Sequence, residues 1–194
     1  MPASRRTALF VVCFTVLTCL ACGDPPTKEL QQAQRAIDAA RASGADRYAR
    51  EEFAAAEASL KSANDAVEQR DYRLALNRAL DAEARAQSAA GDAETRKAAT
   101  RADADKTLKG GAAALARAQA KLRAAEVAGA RPRVVAPARR AIAAGDRSLQ
   151  EARTAFGSGD YLAARDAAQG AITRLTETAR DLESATPAPV RRRR

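Results

Sequence analysis

The feature that most limits what this chain can fold into is the spacing of its small apolar residues. Leu30, Ala33, Ile37 and Ala40 follow intervals of three and four, and Phe53, Ala56, Leu60, Ala63 and Val67 continue the rule on a second segment. Such intervals place side chains on one stripe of an α-helix. Alanine supplies 53 of the 194 residues, against four Phe, three Tyr and no Trp, so the apolar stripes are mostly methyl groups. This is a helix-forming composition with few large anchors, and seams of that kind let helices approach closely.

A third segment carries Tyr72, Ala75, Ala79, Ala82 and Ala86 on one face. Gly44 is placed to end the first segment, and Asp71 is placed to cap the start of the third. The pattern then recurs. Leu115, Ala118, Leu122 and Ala125 repeat the first segment, with Gly129 in the place of Gly44. Val135, Ala138, Ile142, Leu149, Ala152 and Phe156 repeat the second, and Tyr161, Ala164, Ala168, Ala171, Leu175 and Leu182 the third. The offset is 85 residues at Gly44/Gly129 and 89 at Tyr72/Tyr161, so the second copy carries four extra residues, about one helical turn. The expected fold is therefore all-α: two copies of an antiparallel three-helix unit, packed as helical hairpins, a coiled coil or tetratricopeptide-like pairs, with an elongated arrangement open to it. The first unit is expected over residues 28–90 and the second over 112–183, with 91–111 as a polar helical extension or linker. Asp71 and Asp160 are read as helix caps, and Tyr72 and Tyr161 as rings packed over the hairpin turns. Tyr48, Phe53 and Phe156 are read as core anchors.

The amino terminus carries a different signal. Arg5 and Arg6 precede an uncharged run from Thr7 to Ala21, which matches the positive and apolar regions of an export signal. Fifteen residues fall short of the ~20 that span ~30 Å of hydrocarbon. The three cysteines, Cys13, Cys19 and Cys22, all lie at or before its end, and Gly23-Asp24-Pro25-Pro26 follows at once. Cys19-Leu20-Ala21-Cys22 resembles a bacterial lipobox, with Cys19 where Leu is usual. That resemblance implies cleavage between Ala21 and Cys22, removal of residues 1–21, lipidation of Cys22 and a short tether over 22–27. Gly23 in place of an aspartate implies attachment to the outer rather than the inner membrane, on the periplasmic face.

The formal charge of +9 suggests nucleic acid until it is located. Without Arg5 and Arg6 it is +7, and without the terminal run Arg191, Arg192, Arg193 and Arg194 it is +3. A nearly balanced body with charges of both signs interspersed along helices is not a nucleic-acid reader. Residues 184–194 read as a Pro-containing spacer, with Pro187 and Pro189, ending in that arginine tail. Its four guanidinium groups are able to hold phosphate or carboxylate, so Arg191, Arg192, Arg193 and Arg194 are candidate anion-binding residues.

The absence of histidine removes the commonest general base and metal ligand, and no thiol lies beyond Cys22. Asp103-Ala104-Asp105 opens like a calcium loop, but Leu108 stands where glycine is needed and Ala114 where a glutamate should close the cage. Gly157-Ser158-Gly159 follows no strand and reads as a hairpin turn, and Glu51-Glu52 as a solvated pair. No catalytic residue, metal site or cofactor is expected. The lipobox-like start, the alanine-rich helices and the repeated hairpin together resemble bacterial envelope lipoproteins with a helical domain of unknown function, over residues 22–182. The resemblance implies a non-enzymatic, lipid-anchored helical spacer, scaffold or adaptor. Its partners would be the membrane, through the lipid, and peptidoglycan, lipopolysaccharide or another envelope protein. A soluble periplasmic binding or chaperone-like module is the alternative.

Overall fold

The computed structural model describes residues 24–185. These are helical almost throughout, with no strand among the described residues. Six helices follow in order: α1 Thr27–Ser43, α2 Ala45–Tyr48, α3 Arg50–Glu68, α4 Tyr72–Val127, α5 Pro132–Gly157 and α6 Tyr161–Ala185. The all-α class expected from the three-four spacing is what the chain adopts. Contacts divide it into two compact units that meet between Thr95 and Arg96, a point inside α4.

In the first unit α1 packs on α3, with the single turn of α2 between them. Gly44 ends α1 at a φ of 91°, its N–H donating to the Arg41 carbonyl at 2.9 Å. Ala49, at φ −135°, separates α2 from α3. The core holds Ile37, Tyr48, Phe53 and Leu60 as its large members. The part of α4 in this unit buries only alanines: Ala75, Ala79, Ala82, Ala86, Ala89 and Ala93. Methyl groups fill little volume, so a helix that buries nothing larger must lie close to what it packs on.

The second unit contains the remainder of α4 with α5 and α6, which pack along one another. Its core is richer in leucine: Ile142 and Leu149 from α5 meet Leu175 and Leu182 from α6 and Ala114, Ala118 and Ala125 from α4. Glycine makes room for two of them. A methyl group added at Gly145 would stand 2.7 Å from Leu175 Cδ2, and one added at Gly111 would collide with Leu149.

The polar stretch 91–111 is helical from end to end. Locally, Lys109 pairs with Asp105 at 2.6 Å one turn away, while Thr95, Thr100 and Thr107 satisfy their hydroxyls on the carbonyls four residues earlier. The packing of Leu108 and the burial of Ala104 add tertiary support.

Two three-residue turns reverse the chain with the same hydrogen bonds. After α3, Asp71 N–H donates to the Ala66 carbonyl at 2.9 Å; after α5, Asp160 N–H donates to the Ala155 carbonyl at 2.9 Å. The residue before the aspartate is left-handed in both, Arg70 at φ 60° and Gly159 at φ 83°. A left-handed residue closes this type of helix end, and glycine occupies it without the Cβ clash that arginine carries.

Candidate functional site

The residues expected to carry processing and tail functions lie outside the described residues: Ala21 and Cys22 at the expected cleavage point, and Arg191, Arg192, Arg193 and Arg194 in the expected anion-binding tail. The four expected at the hairpins are described. Leu74 N–H donates to Asp71 Oδ1 at 3.0 Å, and Ala163 N–H donates to Asp160 Oδ1 at 3.2 Å. Each carboxylate thus satisfies an amide that the first turn of a helix leaves free. The tyrosines that follow differ. Tyr161 meets the Phe156 ring edge-on, with centroids 5.3 Å apart, and the Arg101 guanidinium lies 5.8 Å from its ring centre. In the other turn Val67 stands where Phe156 does, and Tyr72 is half-buried. Tyr48 and Phe53 are buried, with Arg47 and Arg41 over their rings, whereas Phe156 is only partly enclosed.

Two carboxyls have shifted acidity. The Arg85 guanidinium, bonded to Asp81 Oδ2 at 2.8 Å, and the Ser59 hydroxyl at 2.7 Å hold the Asp81 carboxyl below its ordinary value. Lys121, bonded to Glu183 Oε1 at 2.8 Å, does the same to Glu183. Both sets of contacts join one helix to another, α3 to α4 and α4 to α6. Among the described residues no cluster of three or more His, Cys, Asp or Glu is placed to hold a metal ion. Asp103 and Asp105 lie on an unbroken helix, and Asp105 is paired with Lys109. No described helix is long and apolar enough to cross a membrane.

The strongest feature of the surface is one that a whole-body charge count conceals. Residues 24–95 carry 10 Lys and Arg against 14 Asp and Glu, a net −4, while residues 96–185 carry 17 against 10, a net +7. Their sum is the +3 that makes the body look balanced. Only the position of the boundary, which falls within a helix, separates them. Part of the excess is organised. A groove of about 220 Å³ between α4 and α6 is lined by Arg117 and Lys121 from one helix and by Thr176, Arg180 and Glu183 from the other, over a floor of Ala114 and Ala179. Glu183 takes Lys121 as its partner. Arg117 and Arg180 make no ion pair among the described residues. A second groove of about 270 Å³ between α5 and α6 is mainly apolar, with Val134, Pro137, Ala138 and Leu182 on its walls and Arg133 and Asp181 at its edge.

Residues 28–105 match the family model of a domain of unknown function, DUF4398. The match takes in α1, α2, α3 and the first part of α4, and it ends beyond the boundary between the units. No curated protein and no solved structure matches the chain.

Proposed function

We propose that the chain is a non-enzymatic, lipid-anchored protein of the bacterial cell envelope, a helical spacer, scaffold or adaptor on the periplasmic side of a membrane, the outer membrane before the inner. One observation carries the reading: an uncharged run behind Arg5 and Arg6 ends on Cys19-Leu20-Ala21-Cys22. Acyl chains on Cys22 supply about 0.8 kcal/mol per buried methylene, and two or more give stable attachment. The body has few exposed large apolar residues, Leu74, Leu80 and Val127, so the lipid would be its main hold on a bilayer. Within this reading the body is a duplicated three-helix unit. That is supported by the 85- and 89-residue offsets and by two turns with the same hydrogen bonds.

Mass spectrometry of the mature protein tests the anchor: Cys22 should be the first residue and carry the mass of its lipid, and Cys22→Ala should move the protein out of the membrane fraction. A bare, unprocessed amino terminus, or unchanged membrane retention of Cys22→Ala, overturns the proposal. The run Arg191, Arg192, Arg193 and Arg194 would add salt-sensitive attraction to peptidoglycan or lipopolysaccharide. Sedimentation with either polymer should recover less of a chain that lacks these four residues. The alternative of a ligand-binding module rests on the apolar groove between α5 and α6. It calls for ligand-dependent stabilisation in a thermal shift screen.

A further inference from the structure

We propose that the groove between α4 and α6 of the second unit is a binding site for a phosphate group, held between Arg117 and Arg180. It uses none of the residues assigned to the anchor or to the arginine tail. Arg117 and Lys121 are one turn apart on the same helix, an arrangement of like charges that disfavours the helix on its own. Elsewhere the same spacing joins opposite charges: Lys61 to Asp65, Asp81 to Arg85 and Asp105 to Lys109. Here Arg180 enters the same groove from α6, so three cations face one carboxylate, that of Glu183. Glu183 is committed to Lys121 at 2.8 Å. Arg117 and Arg180 are left with ten N–H donors between them and no anionic partner among the described residues.

The chemistry of those donors selects the ligand class. Guanidinium groups are permanently charged, present their donors as planar forks and match the oxygens of phosphate in bidentate fashion. Two forks lining one groove from different helices suit a tetrahedral group with several acceptor oxygens, and the Thr176 hydroxyl on the α6 wall offers a further donor. The floor of Ala114 and Ala179 keeps the groove shallow, so the group would be bound at a surface, as a headgroup or a polymer phosphate is. The net +7 of this unit draws such anions toward it.

The full chain in a neutral detergent, titrated calorimetrically with inorganic pyrophosphate and separately with phosphatidic acid in the micelle, tests this. Arg117→Gln and Arg180→Gln should each weaken uptake about five- to tenfold. Arg153→Gln, which removes the same charge near the opposite end of α5, should leave it within about twofold. Glu183→Gln releases Lys121 and should tighten it. Uptake of either probe supports the site, and uptake of the micellar one alone fixes a lipid headgroup as the source. The proposal is overturned if neither probe binds, if Arg153→Gln weakens binding as much as Arg117→Gln, or if deleting residues 191–194 abolishes it. It also falls if the groove mutations break a dimer of the chain while pyrophosphate is ignored, because the groove would then serve carboxylates of a second copy. Circular dichroism of each variant separates lost binding from lost helix, and none of these outcomes depends on the state of Cys22.

Discussion

Positions 89 residues apart in the two units share their burial and differ in what fills it. Phe53 and Ile142, Leu60 and Leu149, Ala63 and Ala152, Ala75 and Ala164, Ala79 and Ala168, Ala82 and Ala171 are buried as pairs. Further from the hairpin turn the sizes diverge. Ala86 and Ala93 in the first unit correspond to Leu175 and Leu182 in the second, and Ala56 corresponds to Gly145. The large side chain on one helix thus goes with a missing methyl on the helix it faces, since any Cβ at Gly145 would strike Leu175. The two units are therefore filled differently at these positions, one by an alanine seam and the other by a leucine set into a glycine notch. The polar bridges follow the same logic. In the first unit Ser59 donates to Asp81, which also accepts from Arg85. In the second, Gly170 replaces the aspartate and Arg174 donates directly to Ser148 at 2.9 Å. Glycine at 170 and arginine at 140, where Asp81 and Glu51 stand 89 residues earlier, account for part of the charge difference between the units.

The leucine side of the comparison breaks most readily. Leu175→Ala should cost about 2–5 kcal/mol in denaturant unfolding, because the residue is wholly enclosed and the notch opposite it would be left empty. Gly145→Ala should cost about 1–2 kcal/mol, the overpacking exceeding what alanine gains as a helix former. The double variant recreates the Ala56/Ala86 combination and should lose at least about 1 kcal/mol less than the sum of the singles. Strict additivity would show that notch and leucine are unrelated. At the turns, Asp71→Ala and Asp160→Ala should each lose about 1 kcal/mol by thermal unfolding, since each carboxylate accepts the equivalent amide of its own helix. A loss at one and none at the other would separate the two turns.

The smallest effects concern the bridge. The Asp81 carboxyl is held below its ordinary value in the folded chain, so its contribution is present above the unfolded pKa of about 3.9 and disappears as pH falls through the lower folded value. Asp81→Asn should flatten that acid limb in a pH series of unfolding midpoints, its small loss showing at neutrality and vanishing below the folded value. Gly170→Asp should restore the missing carboxylate and raise stability by about 0.3–0.8 kcal/mol, a few tenths from helix propensity and the rest from pairing with Arg174 one turn on, the side chain nearest the new Cβ. A destabilised Gly170→Asp chain would mean that the second unit excludes the bridge for a reason of packing.

Much of this comparison is legible in the residues. The seam positions Ala33, Ile37, Ala40, Phe53 and Leu60 are periodic and buried, and an aspartate before a periodic run marks Asp71 and Asp160 as caps. Arg70 gives no warning of its left-handed backbone, because residue type identifies that conformation only when it is glycine or asparagine. Gly145 is invisible for the opposite reason: a buried position with no side chain leaves a gap in the apolar pattern. Gly91, Gly110 and Gly111 read as breaks, yet α4 passes through all three, the burial of Ala93, Ala104 and Ala114, the packing of Leu108 and the seating of Leu149 against Gly111 offsetting a helix penalty of about 1 kcal/mol per glycine. The phosphate groove joins Arg117 to Arg180 across more than sixty residues of sequence, a separation that no local motif spans.

The six buried alanines that α4 contributes to the first unit have one further consequence. Alanine has no χ rotation to freeze, so that contact forms without surrendering side-chain entropy. By the same token it has no rotamers with which to accommodate a change. An added atom there cannot be absorbed by a neighbour turning aside; the whole rod must shift its axis, so damage at any one of these methyls is felt along the entire seam.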